Sequence, residues 1–328
     1  MAHPLVSVVI PAHNAERTID ETLRSVRSQT HRELEIVVVD DGSNDETAAA
    51  VCRHEAIDRR VRLIEQSNRG VAAARNTGWR AARSDFIAFV DADDLWAPVK
   101  IERQLAALKR SSSRTGLVYC WSWRIDSDST VTDDQHRPNW RGNVLKRLFL
   151  WNFVGNGSAA LVRRQALVDA HGFESRLRNA GAEGCEDILF YCRVAESYEF
   201  EVVEEPLVGY RYLPDNMSSN LPRMLRSWML MKDEMVRRHP EAAPLLHRGL
   251  RTYAAALLAG ALRESQLNYA IAITSLLVRH DPVTAARLIS IDVPARWASR
   301  KTMRVLRRWS YAPADPLMNM RFPIGELQ

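Results

Sequence analysis

Over roughly its first ninety residues the chain alternates short apolar runs with amphipathic stretches: LVSVVI, AERTIDETLRSVRSQ, LEIVVVD, an acidic helix start, VRLIEQ, GVAAARNTGWRAA and DFIAFVD. Strands that alternate with helices need crossover connections, so this pattern predicts an α/β fold with a mainly parallel sheet covered on both faces. After Ala97, PVKIERQLAALKRS reads as a helix and GLVYCWSWRID as a further strand, followed by a polar loop, DSDSTVTDDQHRPNWRGN. VLKRLFLWNF then reads as a helix or turn, the stretch from Glu186 through Glu196 as a helix, and EFEVVEE and LVGYRYL as two strands that close this part near Pro214. From about Asn216 the pattern turns helical throughout. It predicts two domains, an α/β domain over 1–215 and an all-helical one over 216–328.

The ends of the apolar runs carry the chemistry. Ser43 and Glu46 in DDGSNDET have capping-box spacing, which predicts a helix from beside Ser43 to about Ala56 and leaves Asp40 and Asp41 at the end of a buried strand. Asp91, Asp93 and Asp94 follow DFIAFV in the same way. Ligands of open α/β sheets bind outside the carboxyl ends of the strands, so two acidic clusters at two such ends converge on one ligand. Three carboxylates within FVDADDLW repel one another, and a divalent cation offsets that repulsion. All-oxygen ligands suit Mg²⁺ or Mn²⁺, which complete their shells with water and phosphate. A solvated turn capping the helix near Pro98 accounts for DADD equally well. Neither acidic segment has the EF-hand pattern, and the turn after the first strand, PAHNAE, lacks the glycines of a dinucleotide fingerprint.

Composition narrows the picture little further. The chain has 328 residues, 46% of them apolar, with 45 Lys and Arg against 40 Asp and Glu. Its N-terminus has no basic region before the first apolar run, and TYAAALLAGAL and SQLNYAIAITSLLV fall short of the ~20 residues of a membrane span, so a cytoplasmic protein is expected. Cys52, Cys120, Cys185 and Cys192 form no CxxC pair and read as buried free thiols in a reducing compartment. Near the C-terminus, PARWASRKTMRVLRRWS carries six basic residues and no acidic one, interleaved with Trp297, Met303, Val305, Leu306 and Trp309. Such a segment either lies on an anionic membrane face, over 294–310, or packs its aromatic side on the helical domain. It contains no base-reading motif, which argues against nucleic acid as a partner.

In combination, PAHNAE, VVVDDGSNDET, NRGVAAARNTGWRAARSDFIAFVDADD and GCEDILFYCRVAE resemble the family 2 glycosyltransferases in order and spacing, over about residues 5 to 213. The resemblance implies a GT-A fold, a nucleotide-sugar donor, a divalent cation and inversion at the anomeric carbon. On the matching positions, Asp93 would ligate Mn²⁺ or Mg²⁺, and Asp91, with Ala92, would lie on the ribose side of the donor. Asp41, with Asp40 beside it, would read the base, where an imide donor favours uracil or thymine over adenine, a UDP-sugar being expected first and a dTDP-sugar next. Pro11, Ala12 and His13 would form the loop beneath the nucleotide, and Arg75 would hold the diphosphate or orient the metal carboxylates. Asp187 would be the catalytic base, with Glu186 supporting the site or binding acceptor. Trp151, Asn152, Asn156 and Ser158 lie where the family builds part of its acceptor wall, for a glycan or lipid-linked glycan in cell-surface polysaccharide or glycolipid synthesis. The alternatives are a nucleotidyltransferase that makes a sugar nucleotide and a non-catalytic nucleotide- or glycan-binding protein.

Overall fold

The computed structural model describes residues 3–134, 137–213, 216–292 and 318–326. Four strands rich in β-branched residues, β1 (Val6–Ala12), β2 (Leu34–Asp40), β3 (Val61–Glu65) and β4 (Phe86–Phe89), pair in parallel in the order β3-β2-β1-β4. Helices α1 (Ile19–Arg27), α2 (Thr47–Ile57) and α3 (Val71–Ala81) make the crossovers. Every residue of β1 and β2 is buried, as a central parallel strand requires. Gly78 lets α3 lie against β1, since a Cβ there would stand 2.3 Å from a Val9 methyl.

The other half of the sheet is not mainly parallel. After β5 (Leu95–Trp96), α4 (Lys100–Arg110), β6 (Thr115–Ile125) and β7 (Val131–Asp134), three one- or two-turn helices surround β8 (Leu161–Arg163): α5 (Leu145–Leu148), α6 (Arg164–Asp169) and α7 (Arg176–Asn179). Helix α8 (Glu186–Ala195) leads to β9 (Glu199–Arg211). β8 runs antiparallel to β4 and β6, β9 parallel to β6, and β5 antiparallel to β9, so the sheet as a whole is mixed. EFEVVEE and LVGYRYL form one strand. Pro206 lies at the register shifts opposite Trp121, where its missing N–H costs no ladder bond.

The capping box does not form. Ser43 Oγ donates to Asp40 and accepts the Asn14 amide, and the helix begins at Thr47, whose amide and hydroxyl both reach Asp45 Oδ1. The carboxylates of Asp40 and Glu16 take the groups that a capping box would have used, the Ser43 amide and hydroxyl and the Glu46 amide.

From Leu221 onward the regular elements are helices: α9 (Leu221–Arg238), α10 (Ala243–Arg263), α11 (Leu267–His280) and α12 (Pro282–Arg287). Trp228 of α9 stacks on Tyr253 of α10 at 4.3 Å, and α9 also carries Ser227, whose hydroxyl accepts the Cys185 amide just before α8. None of the described helices is long and apolar enough to cross a membrane. The basic segment over 294–310 lies outside the described residues. All four cysteines are free, but Cys52 is exposed rather than buried.

Candidate active site

β1, β2 and β4 end side by side, and these three ends present the acidic and loop residues to one edge of the sheet. At β2, Asp40 holds Ser43, while Asp41 is 3% exposed and draws in the following loop: its Oδ1 accepts Gln66 Nε2 and the Arg69 amide, and its Oδ2 accepts the Gly70 amide at 2.7 Å. Asp41 thereby neutralises amides at the start of α3, where a carboxylate is also favoured by the helix dipole. Oδ2 accepts no other hydrogen bond among the described residues. Pro11 and Ala12 are buried at the end of β1, and His13 stands exposed above them, its Nε2 3.0 Å from Asn68 Nδ2.

The three carboxylates after β4 part company. Asp94 is wholly buried, accepting Ser158 Oγ at 2.5 Å and the Arg211 amide at 2.9 Å; burial, reinforced by Asp93 and Asp91, pushes its carboxyl well above the usual range. It orients the turn. Asp91 accepts Arg75 at 2.6 Å. Asp93 receives no hydrogen bond from another described side chain, and burial followed by repulsion from Asp91 pushes its carboxyl up to about 6. A partly open carboxylate that resists ionisation, with a second one beside it, is what a bound divalent cation would relieve. No three His, Cys, Asp or Glu among the described residues stand close enough to hold an ion by themselves. The donor set therefore fits Mg²⁺ or Mn²⁺ that takes its other ligands from water and a diphosphate.

Arg75 joins this turn to α8. It is 3% exposed, and its guanidinium donates to Asp91 Oδ1 and, at 2.9 Å, to Glu186 Oε1, with the Phe173 ring 5.3 Å beneath it. Both carboxylates raise its already high pKa against the effect of burial, so the charge is permanent. Next to Glu186, Asp187 keeps its carboxylate at the N-terminus of α8, accepting its neighbour's amide from Ile188 at 2.7 Å and Asn152 Nδ2 at 3.1 Å. Burial, then the charge of Glu186, pushes the Asp187 carboxyl up to about 7, with Arg75 opposing. A cleft beside these groups is lined by Arg69 to Ala72 around the start of α3, by Glu174, Ser175, Leu177 and Arg178, and by Glu183 and Glu186.

The acceptor-wall residues divide as well. Trp151 is half-buried, its ring edge-on to Trp140 at 5.7 Å. Asn152 orients Asp187. Asn156 is buried and spends both ends of its amide inside, on Ser122 Oγ and the Ser158 amide, and Ser158 bridges the Asp91 amide and the Asp94 carboxylate. These two support the wall from behind instead of facing an acceptor. Sequence reasoning missed the roles of Asn152 and Ser158, and it missed Thr22, whose hydroxyl donates to the Ala92 carbonyl from α1.

Comparison with known proteins bears on the family and the fold. Residues 7–169 match the family model described as glycosyl transferase family 2. A putative glycosyltransferase of Bacillus subtilis (strain 168), EpsH, is 34% identical over 223 residues, 64% of this chain and 62% of that protein, so the match spans less than two thirds of the relative's length. Among solved structures, the mannosyltransferase PcManGT from Pyrobaculum calidifontis, in complex with GDP-Man and Mn²⁺, superposes with a TM-score of 0.59 at 21% identity, covering 94% of this chain and 84% of that one. S. aureus TarS 1–349 in complex with UDP-GlcNAc gives 0.57 at 16% identity, covering 95% and 94%. At those identities the likeness shows the fold, which is GT-A, a mixed sheet flanked by helices with a helical C-terminal region. Its fold, its acidic strand ends and the family match agree, and residues 7–169 of this chain belong to glycosyl transferase family 2.

Proposed function

We propose that the chain transfers a sugar with inversion from a UDP-sugar to a hydroxyl of a glycan or lipid-linked glycan, using Mn²⁺ or Mg²⁺. The observation that carries this reading is the Arg75 bridge, which sets the metal turn and the Asp187 helix on one buried cation. Inverting transfer is a single in-line displacement and needs both ends together: a carboxylate that removes the acceptor proton as its oxygen attacks C1, and a charged site that receives the departing diphosphate on the opposite face.

Asp187 takes the acceptor proton, held toward its partner by Asn152 and the Ile188 amide. Arg75 keeps Asp91 and Glu186 from moving as charge shifts between the two ends. Asp93, with Asp91 beside it, would hold the divalent ion, which supplies Lewis-acid stabilisation to the leaving diphosphate. Asp41 offers Oδ2 to the imide N–H of uracil, with Asp40 fixing the loop below and His13 over the nucleotide. Trp151 gives the acceptor ring an aromatic face. Synthesis of cell-surface polysaccharide or glycolipid suits such a hydroxyl acceptor. Peripheral membrane contact through 294–310 would bring a lipid-linked one within reach.

PcManGT was solved with a guanosine donor and TarS with a uridine donor, so the fold alone does not choose the base; an N–H acceptor at Asp41 supports uracil over adenine, and the donor assay separates uracil from guanine. Incubating the protein with UDP-, dTDP- and GDP-sugars, with Mn²⁺ and with Mg²⁺, and measuring released nucleoside diphosphate tests the reading. Release from UDP-sugars is expected, and release from GDP-sugars alone would refute the choice of uracil.

A further inference from the structure

The last described residues return to the sheet behind the metal turn. The Phe322 ring is 2% exposed, seated against Gly209 of β9, where a Cβ would stand 3.0 Å from it, and edge-on to Trp123 of β6. The Asn319 amide donates to the Val131 carbonyl, the Val131 amide to Met320, and the Phe322 amide to the Ser129 carbonyl at 2.7 Å. Ser129 has φ 64°, a left-handed backbone that a serine adopts only when its surroundings impose it.

From Ser129 a continuous set of hydrogen bonds leads to Asp93. The Ser129 hydroxyl donates to Glu21 Oε2 at 2.7 Å, and Arg321 reaches the other oxygen of Glu21 at 3.2 Å. Arg211, 1% exposed, donates to Glu21 Oε2 and Ser129 Oγ, to the carbonyls of Asp126 and Ser127, and through Nε to the carbonyl of Asp93 at 2.7 Å. All five guanidinium donors are thus used, so Arg211 has one place only, fixed by Glu21 and Ser129 together. Glu21 is the one carboxylate in the set. The Arg321 contact is largely exposed and adds little by itself, so the Phe322 plug is the anchor of the tail.

We propose that the C-terminal tail, Asn319–Phe322, is a working part of the metal-diphosphate site. It holds Ser129, and through Ser129 and Glu21 the guanidinium of Arg211, which fixes the backbone on which Asp93 is mounted. Glu21 and Arg211 are positioning residues that touch neither donor nor acceptor. The inference deepens the proposed function and rests on it where it assigns a metal to Asp93; the mechanical coupling stands apart from it.

Full-length Phe322→Ala, Phe322→Leu and Glu21→Gln, compared with wild type, test this. Hydrogen exchange of the free protein reads the turn over Phe89–Trp96 against a reference strand, Leu34–Asp40. Calorimetric titration with UDP and Mn²⁺ reads the site. Phe322→Ala and Glu21→Gln are expected to speed exchange at Phe89–Trp96 without changing Leu34–Asp40, and to weaken Mn²⁺-dependent UDP binding about fivefold or more. Phe322→Leu, which keeps the apolar plug, is expected to behave as wild type. Unchanged exchange at Phe89–Trp96 in Phe322→Ala and Glu21→Gln would overturn the proposal, as would acceleration of both segments alike. Wild-type protein that binds no UDP with Mn²⁺ would refute the donor reading, and the exchange comparison would then decide the coupling by itself.

Discussion

Asp187→Asn separates proton removal from folding. The new side chain keeps its shape, and its carbonyl oxygen still accepts the Ile188 amide that Asp187 Oδ1 accepts at 2.7 Å. At its other end an NH₂ group replaces the oxygen that accepts Asn152 Nδ2 at 3.1 Å, so two donors face each other. Turning the Asn152 amide over cures this but gives up the bond that its Oδ1 accepts from the Gly155 amide. Either way one hydrogen bond is lost, about 1 kcal/mol.

A second effect opposes that loss. Burial raises the Asp187 carboxyl to about 7, so the native state holds this proton more tightly than the unfolded chain does. Such a group stabilises the fold fully below its unfolded pKa, near 4, and that contribution is lost as pH rises through about 7. At pH 8 the ionised carboxylate is a cost that asparagine does not carry. The variant should therefore melt within a few degrees of wild type at pH 8, while turnover falls about 10²- to 10⁴-fold, roughly 3–5 kcal/mol of lost transition-state stabilisation. Diphosphate release in the presence of acceptor, with a melt on the same sample, measures both. Turnover within about tenfold of wild type would remove Asp187 from the mechanism. A collapse in melting temperature would show that its charge serves the fold.

The same raised carboxyl predicts a wild-type rate that falls with a slope of one below about pH 7, since the base must be ionised, and this limb should be absent from the residual activity of Asp187→Asn. Arg75→Met leaves Asp91 and Glu186 unpaired, Glu186 in a buried position; about 3–5 kcal/mol of stability should be lost in a thermal or urea melt, and Arg75→Lys, able to serve one carboxylate at a time, should recover only part. Chelation with EDTA should stop diphosphate release and added Mn²⁺ restore it, with Asp93→Asn needing a higher Mn²⁺ concentration for half-maximal rate; metal-independent release would refute the assignment of Asp93.

What could be read from the chain before folding was the chemistry at the ends of elements. Asp40, Asp41, Asp91 and Asp93 each follow a strongly patterned strand, so their placement at one edge of the sheet depends only on local periodicity and on the parallel crossovers, whereas Asp187 opens a patterned helix whose position depends on the rest of the fold. The misreadings arose where a side chain had a choice of partners far along the chain. Asn156 and Ser158 have the small polar character of acceptor contacts, yet the short turn before β8 sets Ser158 beneath the Asp91–Asp94 turn, 64 residues from Asp94 in sequence, and Asn156 is spent on Ser122 and on the Ser158 amide. Ser43 instead lost its capping role to a near neighbour, Asp40, as well as to the Asn14 amide 29 residues away.

Arg75 shows the point most clearly, because two functional roles were open to it, diphosphate ligand or organiser of the metal carboxylates. Its two terminal nitrogens are held by Asp91 and Glu186, while its Nε is buried with no partner among the described residues. A diphosphate oxygen would have to compete with two ion pairs already desolvated, each worth more in that setting than a new contact at the exposed edge of the site. The bridging role therefore dominates. The arginine's chemistry was legible from its motif, but whether that chemistry is spent on a substrate or on holding two halves of a site together depends on α8, which arrives from more than a hundred residues away.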